Sequence, residues 1–255
     1  MRDQLKETDF VSGFARGLRV IEAFGEQDRR LSISDVAKKT GLDRATVRRS
    51  LLTLAELGYA EYDGKFFTLT SRILRLGHSY LSATPLPMLL QPFLDALSER
   101  IGQSTSASVL DDTEIVYIAR ASQRRVMSIN LNPGSRLPAY CSSMGRVLLA
   151  ALPENEARKI LGRSDLRANT EHTITDIERL SEELAKVRSQ GYALIDQELE
   201  LGLCSIAVPL RSRRGEVIAA LNVGAPAAYL QSQEMVTNFL PLLHEFAQKI
   251  NLSMA

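Results

Sequence analysis

Between Leu31 and Leu69 the chain is punctuated so closely that only short elements fit, and the punctuation marks where each begins and ends. Ser32 followed three residues later by Asp35 has the form of a capping box. Ile33, Val36 and Ala37 supply one apolar side, and Gly41 suits the left-handed position that closes a helix after Lys39-Thr40. Asp43 can cap a second helix over residues 44–57, in which Val47, Leu51, Leu54 and Leu57 recur at helical spacing before Gly58 stops it. Residues 59–62, Asp63-Gly64 and residues 65–69 then read as a hairpin about an Asp-Gly turn. Upstream, Ser12 followed by Phe14, Leu18, Val20 and Ile21 predicts one more amphipathic helix, ending near Gly25.

Helix, glycine-containing turn, helix and hairpin in that order make a winged helix-turn-helix, whose second helix enters the major groove of DNA. Charge agrees locally while the total conceals it. Lys+Arg 31 against Asp+Glu 30 leaves a net +1, but up to Tyr80 there are fourteen basic and eleven acidic residues. Over the twelve residues 38–49, Lys38, Lys39, Arg44, Arg48 and Arg49 are opposed only by Asp43. Arg44, Ala45, Thr46, Arg48 and Arg49 occupy the first turns of the expected recognition helix, where guanidinium forks and a hydroxyl meet base edges and phosphates; Lys38 joins them as a DNA-binding candidate, and Lys65 at the hairpin tip is expected to contact a phosphate. The bland alternative is a small α+β packing unit whose basic residues are a solvated face; the rival function is a metabolite sensor whose N-terminal domain mediates protein contacts.

Composition excludes several classes. At 45% hydrophobic and 24% charged over 255 residues the chain is neither disordered nor collagen-like, and Cys141 and Cys204 belong to no Cys-x-x-Cys pair. No apolar run approaches the ~18 residues of a membrane span and no signal peptide is apparent, so a cytoplasmic protein without membrane contact is expected. Dinucleotide, P-loop and nucleophile-elbow signatures are missing, and His244-Glu245-Phe246-Ala247-Gln248 lacks the second histidine of a zinc-protease helix. No enzyme, catalytic residue, metal or cofactor is expected; that segment reads instead as an amphipathic helix burying Leu243, Phe246 and Ile250.

Pro85 and Pro87 mark a junction, giving a DNA-binding domain over 1–70, a helical linker over 71–87 and an effector domain over 88–255. In the last of these, residues 88–101 are helical in period, residues 106–110 and 115–120 are strands about an Asp-Asp turn, and residues 126–131 make a third strand. A helix follows over 143–152. Thr175 with Glu178 reads as a capping box for a helix with Ile177, Leu180, Leu184 and Val187 inward and Gly191 as stop. Residues 206–210 and 217–224 pair as further strands. The whole predicts an α+β fold in which helices pack on an antiparallel sheet.

Residues 12–24, Ile33 to Ala37, Gly41 to Val47 and Leu51 to Tyr59 resemble the winged helix-turn-helix of the IclR family of bacterial transcriptional regulators. The resemblance continues through Gly134-Ser-Arg-Leu-Pro-Ala-Tyr-Cys-Ser-Ser-Met-Gly-Arg146 to Ala150, and through Gly191-Tyr192, Asp196, Glu198, Gly202 and residues 205–209, so it covers nearly the whole chain. The first of these stretches is most similar to the PcaR, PcaU and PobR branch, which regulates aromatic-acid catabolism in the β-ketoadipate pathway. The resemblance implies a GAF-like effector domain and a homodimer or homotetramer on a palindromic double-stranded operator. It implies a small aromatic or dicarboxylic acid as effector, held against Ser143, Met144, Gly145, Ser205, Asn222 and Gly224. Tyr140 and Met144 would contact a ring, and Arg136 or Arg146 would pair a carboxylate. Where relatives that bind small oxo acids carry an aspartate, this chain has Ile195, which favours a larger and more apolar acid.

Overall fold

The computed structural model describes residues 9–25, 28–83, 85–123, 131–228 and 232–254. The chain divides into two compact units, Met1–Ala83 and Thr84–Ala255.

The first unit is built from local signals. Helix α2, Ile33–Thr40, opens with the capping box of Ser32 and Asp35 and closes on Gly41 in the left-handed region at φ 68°. Asp43 caps α3, Arg44–Glu56, by accepting from the Thr46 amide at 2.8 Å. Val36, Val47, Leu51 and Phe67 are fully buried and form one small core with Val20. Leu57 lies just past the end of α3 and is exposed, so the inward stripe ends at Leu54. In α1, Ser12–Glu22, Ser12 is the first helical residue and no side chain caps the helix. Only Val20 of α1 is buried, and Phe14 is 68% exposed.

The hairpin pairs β1, Ala60–Tyr62, with β2, Phe67–Leu69. Its loop has four residues rather than two: Asp63 accepts from the Lys65 and Phe66 amides at 3.0 and 2.8 Å, which draws Lys65 out of the strand and into the turn. A short 3₁₀ turn, Ser71–Ile73, leads to α4, Leu74–Ala83.

In the second unit α5, Leu86–Ile101, begins two residues earlier than periodicity suggests. Pro87 sits in its first turn, where a missing N–H costs nothing, so the proline helps to start the helix instead of preceding it. Strands β3 (Ser104–Asp111), β4 (Glu114–Ala121), β5 (Arg136–Pro138), β6 (Ala193–Asp196), β7 (Leu203–Arg211) and β8 (Val217–Pro226) form one antiparallel sheet, order β5-β4-β3-β8-β7-β6. One face is apolar against α5 and α9 (Ser232–Ser253), with Leu90, Leu94, Leu243, Phe246 and Ile250 among Ile206, Val208, Leu221 and Val223. The other carries α6, Ser143–Ala150, and behind it α7, Glu154–Arg163, and α8, Ile177–Gln190.

Two expectations change here. The α8 cap is Asp176, which accepts from the Arg179 amide at 2.9 Å, and Glu178 pairs across with Arg158, so the Thr175–Glu178 box does not form. Strands β5 and β6 are too short to announce themselves and exist by pairing with longer neighbours. The strand expected over residues 126–131 falls mostly outside the described residues.

Candidate functional site

At the start of α3 the side chains of Arg44, Ala45, Arg48 and Arg49 are exposed together, on the side away from Val47 and Leu51. Thr46 is not with them. It is 93% covered (7% relative exposure), and its hydroxyl accepts from Arg49 at 3.4 Å, because the third position of the helix already turns toward the domain interior. Lys38 is exposed near the end of α2, whereas Lys39 is held by Asp28. On the wing, the Lys65 ammonium lies 5.0 Å from the centre of the Phe66 ring, and Arg30 covers the same ring while pairing with Asp63. The amides of Phe66 and Lys65 together with Arg30 hold the Asp63 carboxyl far below the usual carboxylate range.

The second site lies between the α6-facing side of the sheet and the start of α6. Ser142 caps α6 by accepting from the Gly145 amide at 3.3 Å, and every residue of this helix is buried. Beneath Ser142, Ser143 and Met144 is a cavity of about 30 Å³, floored by Ser104, Ser106, Ser205, Asn222 and Gly224 and walled by Tyr117 and Arg120. Leu199, in the β6–β7 connection, and Leu203, the first residue of β7, close it. That volume holds a water molecule or two, while about 150 Å³ accommodates benzene, so a ring enters only if side chains move. Two buried polar atoms on the cavity wall, Ser143 Oγ and Asn222 Oδ1, have no hydrogen-bond partner among the described residues. Buried polar atoms are ordinarily satisfied, so these two have hydrogen-bonding capacity left for whatever occupies the cavity.

Of the positions expected to meet an effector, Ser143, Met144, Ser205, Asn222 and Gly224 line this cavity. Four others do not. Arg136 is on the exposed edge strand, paired with Asp111 at 2.8 Å and Glu114 at 2.7 Å. Arg146 is buried in an ion pair with Glu198 at 2.6 Å and also donates to the Tyr140 carbonyl at 2.9 Å, so its charge is already matched inside the fold. Tyr140 donates its hydroxyl to the Arg167 carbonyl at 2.6 Å and fronts a different cleft. Gly145 is a packing residue: a Cβ there would lie 2.2 Å from the Ala139 carbonyl oxygen. Ile195 is buried as the β6 partner of Ser205.

Among the cavity residues that pattern reading missed are Ser104, Ser106, Tyr117 and Arg120. Alternation along β4 puts Tyr117 and Arg120 on opposite faces. The register steps from Ala107–Ala119 to Ser108–Tyr117, leaving Ile118 as an extra residue; this bulge reverses the parity, so that Tyr117 and Arg120 share the α6 face while Ala119 and Ala121 pack toward α5. One signal was available: Ser104, Ser106 and Ser108 alternate through a central strand where apolar residues are expected. Burial pulls the Arg120 guanidinium below its usual value and pushes Tyr117 up to about 12.

A capped basic helix with a wing in one unit, and a polar cavity inside a sheet domain in the other, define a DNA-binding regulator that carries its own ligand-binding domain. Comparison with known proteins agrees. Residues 14–64 match the IclR helix-turn-helix domain and residues 78–252 match the bacterial transcriptional regulator IclR C-terminal domain. The chain is similar to the Pca regulon regulatory protein of Pseudomonas putida, 46% identical over 93% of this chain and 82% of the relative. It is similar also to the p-hydroxybenzoate hydroxylase transcriptional activator of Acinetobacter baylyi, 38% identical over 97% and 93%. Among solved structures it resembles an IclR homolog from Microbacterium hydrocarbonoxydans complexed with 4-hydroxybenzoate, with a TM-score of 0.79, 29% identity and 95% and 99% coverage. This chain belongs to the IclR family of transcriptional regulators.

Proposed function

We propose that the protein controls genes of aromatic-acid catabolism, and that an aromatic acid in the cavity beneath α6 alters its affinity for DNA. The observation that carries this reading is the pair of buried atoms without a partner among the described residues, Ser143 Oγ and Asn222 Oδ1, in a cavity at the start of α6, the end of a helix that suits an anion. Similarity to regulators of the Pca regulon and of p-hydroxybenzoate hydroxylase points the same way. A homodimer presenting two α3 helices to a palindromic operator is the arrangement that half-site spacing requires of this motif. Arg44, Arg48 and Arg49, with Ala45 between them, then meet the major groove, and Lys38 and Lys65 meet phosphates.

Since the cavity is nearly filled, an acid binds only by selecting or producing a wider form, and it changes DNA affinity to the extent that it prefers one form over the other. Thermal shift with protocatechuate, 4-hydroxybenzoate and β-ketoadipate, followed by operator titration with each stabilising acid, tests the reading. Stabilisation by an aromatic acid together with a changed operator affinity supports it; failure of all three to do either refutes it.

A further inference from the structure

We propose that Arg120 is the carboxylate clamp of the cavity, and that Asn222 on the opposite side receives a hydroxyl of the same ligand, so that the site selects a hydroxylated aromatic monocarboxylate. This rests on the reading that the cavity is the effector site. The argument begins with charge. Two other arginines of this domain that could bind an acid already have one: Arg136 holds Asp111 and Glu114, and Arg146 holds Glu198. Arg120 lines the cavity and is partly buried, yet its partners are neutral hydroxyls, Ser122 at 2.9 Å and Ser106 at 3.0 Å. Among the described residues it pairs with no carboxylate. A guanidinium withdrawn from water and given only neutral acceptors retains most of its capacity for a carboxylate, which it can take bidentately.

Register supplies the second half of the argument. Arg120 on β4, Ser106 on β3 and Asn222 on β8 are consecutive cross-strand partners in one row of the sheet. Neighbouring strands are ~4.8 Å apart, so the backbones at the two ends of the row are separated by about 10 Å and their side chains reach inward from either end. One benzene ring bearing a group at each end bridges such a gap over the Ser106 floor. The unpartnered atom at the Asn222 end is an amide oxygen, which accepts and does not donate. A hydroxyl satisfies it; a second carboxylate sets negative charge against it. The unpartnered Ser143 hydroxyl, above the same cavity, donates to either group. The bulge at Ile118 places the charge here, since a regular β4 turns Arg120 toward α5.

Calorimetric titration of the full-length protein with 4-hydroxybenzoate, benzoate and the uncharged 4-hydroxybenzamide tests the assignment. In wild type, 4-hydroxybenzoate binds more tightly than either analogue. Arg120→Gln weakens the acid by roughly 10- to 100-fold, as loss of a charge-assisted hydrogen bond does, and brings the acid-to-amide preference toward one. Arg120→Lys keeps the charge without the fork and falls between, so the assignment stays testable if the glutamine variant folds poorly by circular dichroism. Asn222→Ala removes the preference for 4-hydroxybenzoate over benzoate, and Arg136→Gln changes none of these affinities. Undiminished binding of the acid by Arg120→Gln, or equal losses for acid and amide, overturns the clamp alone. Failure of wild type to bind any aromatic acid overturns both the clamp and the reading beneath it.

Discussion

Helices α3 and α6 begin with the same chemistry and end up in opposite surroundings. Each is capped by a side-chain oxygen that accepts from the third residue of the helix, Asp43 from Thr46 and Ser142 from Gly145. After its cap, α3 turns Arg44, Arg48 and Arg49 to solvent, whereas α6 is buried along its entire length. The difference teaches what each helix start can bind. An exposed start with mobile cations suits a polyanion whose phosphates arrive from outside and whose binding is salt-dependent. An enclosed start with fixed, unpartnered polar atoms suits a single small anion that must shed its water to enter.

The comparison breaks most visibly at the third helical residue. Gly145→Ala puts a methyl group 2.2 Å from a backbone oxygen, a clash that no rotamer relieves. The expected cost is more than ~3 kcal/mol, at or beyond the upper end of ordinary overpacking. Thermal unfolding followed by circular dichroism should show the sheet domain lost or melting far earlier, and an unchanged melt would mean that α6 has room to move. At the exposed arginines of α3 the sensitive quantity is affinity. Arg48→Ala or Arg49→Ala should cost about 1–3 kcal/mol and relax specificity if the lost contact is to a base, or lower the salt slope by about one if it is to a phosphate. Operator titration at several salt concentrations separates the cases; a variant that binds like wild type at every salt removes that arginine from the interface.

The smallest effect is a difference between the two caps themselves. Hydrogen bonds from Thr46 hold the Asp43 carboxyl below the usual carboxylate value, while Ser142 does not ionise in this range. Because the folded-state value is depressed, the contribution of this cap is complete above about pH 4, the ordinary aspartate value, and is lost as pH falls through the lower folded one. An NMR titration toward low pH should move the Thr46 amide and leave that of Gly145 in place. Parallel movement of both would show that the caps are not distinguished by charge.

Much of this was legible from the chain itself. The caps at Ser32 and Asp43, the stop at Gly41 and the wing at Asp63 each depend on backbone groups within a few residues of one another, so their hydrogen bonds are almost a property of the local sequence. Where a competing residue stood one position away, local reading failed: Asp176 displaced Thr175 at the start of α8. In the cavity the expected turn, Ser143 and Met144, and the floor, Ser205, Asn222 and Gly224, lie together. Arg136 and Arg146, expected to pair a carboxylate there, are not among its lining. Nothing local reveals that Asp111, Glu114 and Glu198, distant in sequence, already neutralise these two arginines.

What the amino-acid sequence determined by itself is therefore the winged helix-turn-helix, its basic helix and the antiparallel character of the second domain, all set by periodicity and short-range hydrogen bonding. Tertiary structure alone decided that Arg120 lines the cavity with no carboxylate partner among the described residues, which serines face that cavity and that Gly145 cannot bear a methyl group. The physical reason is that charge pairing, strand parity after a bulge and steric closeness are relations between residues far apart in the chain. Arg120 becomes a cavity residue only because one extra residue, Ile118, has been taken up by β4.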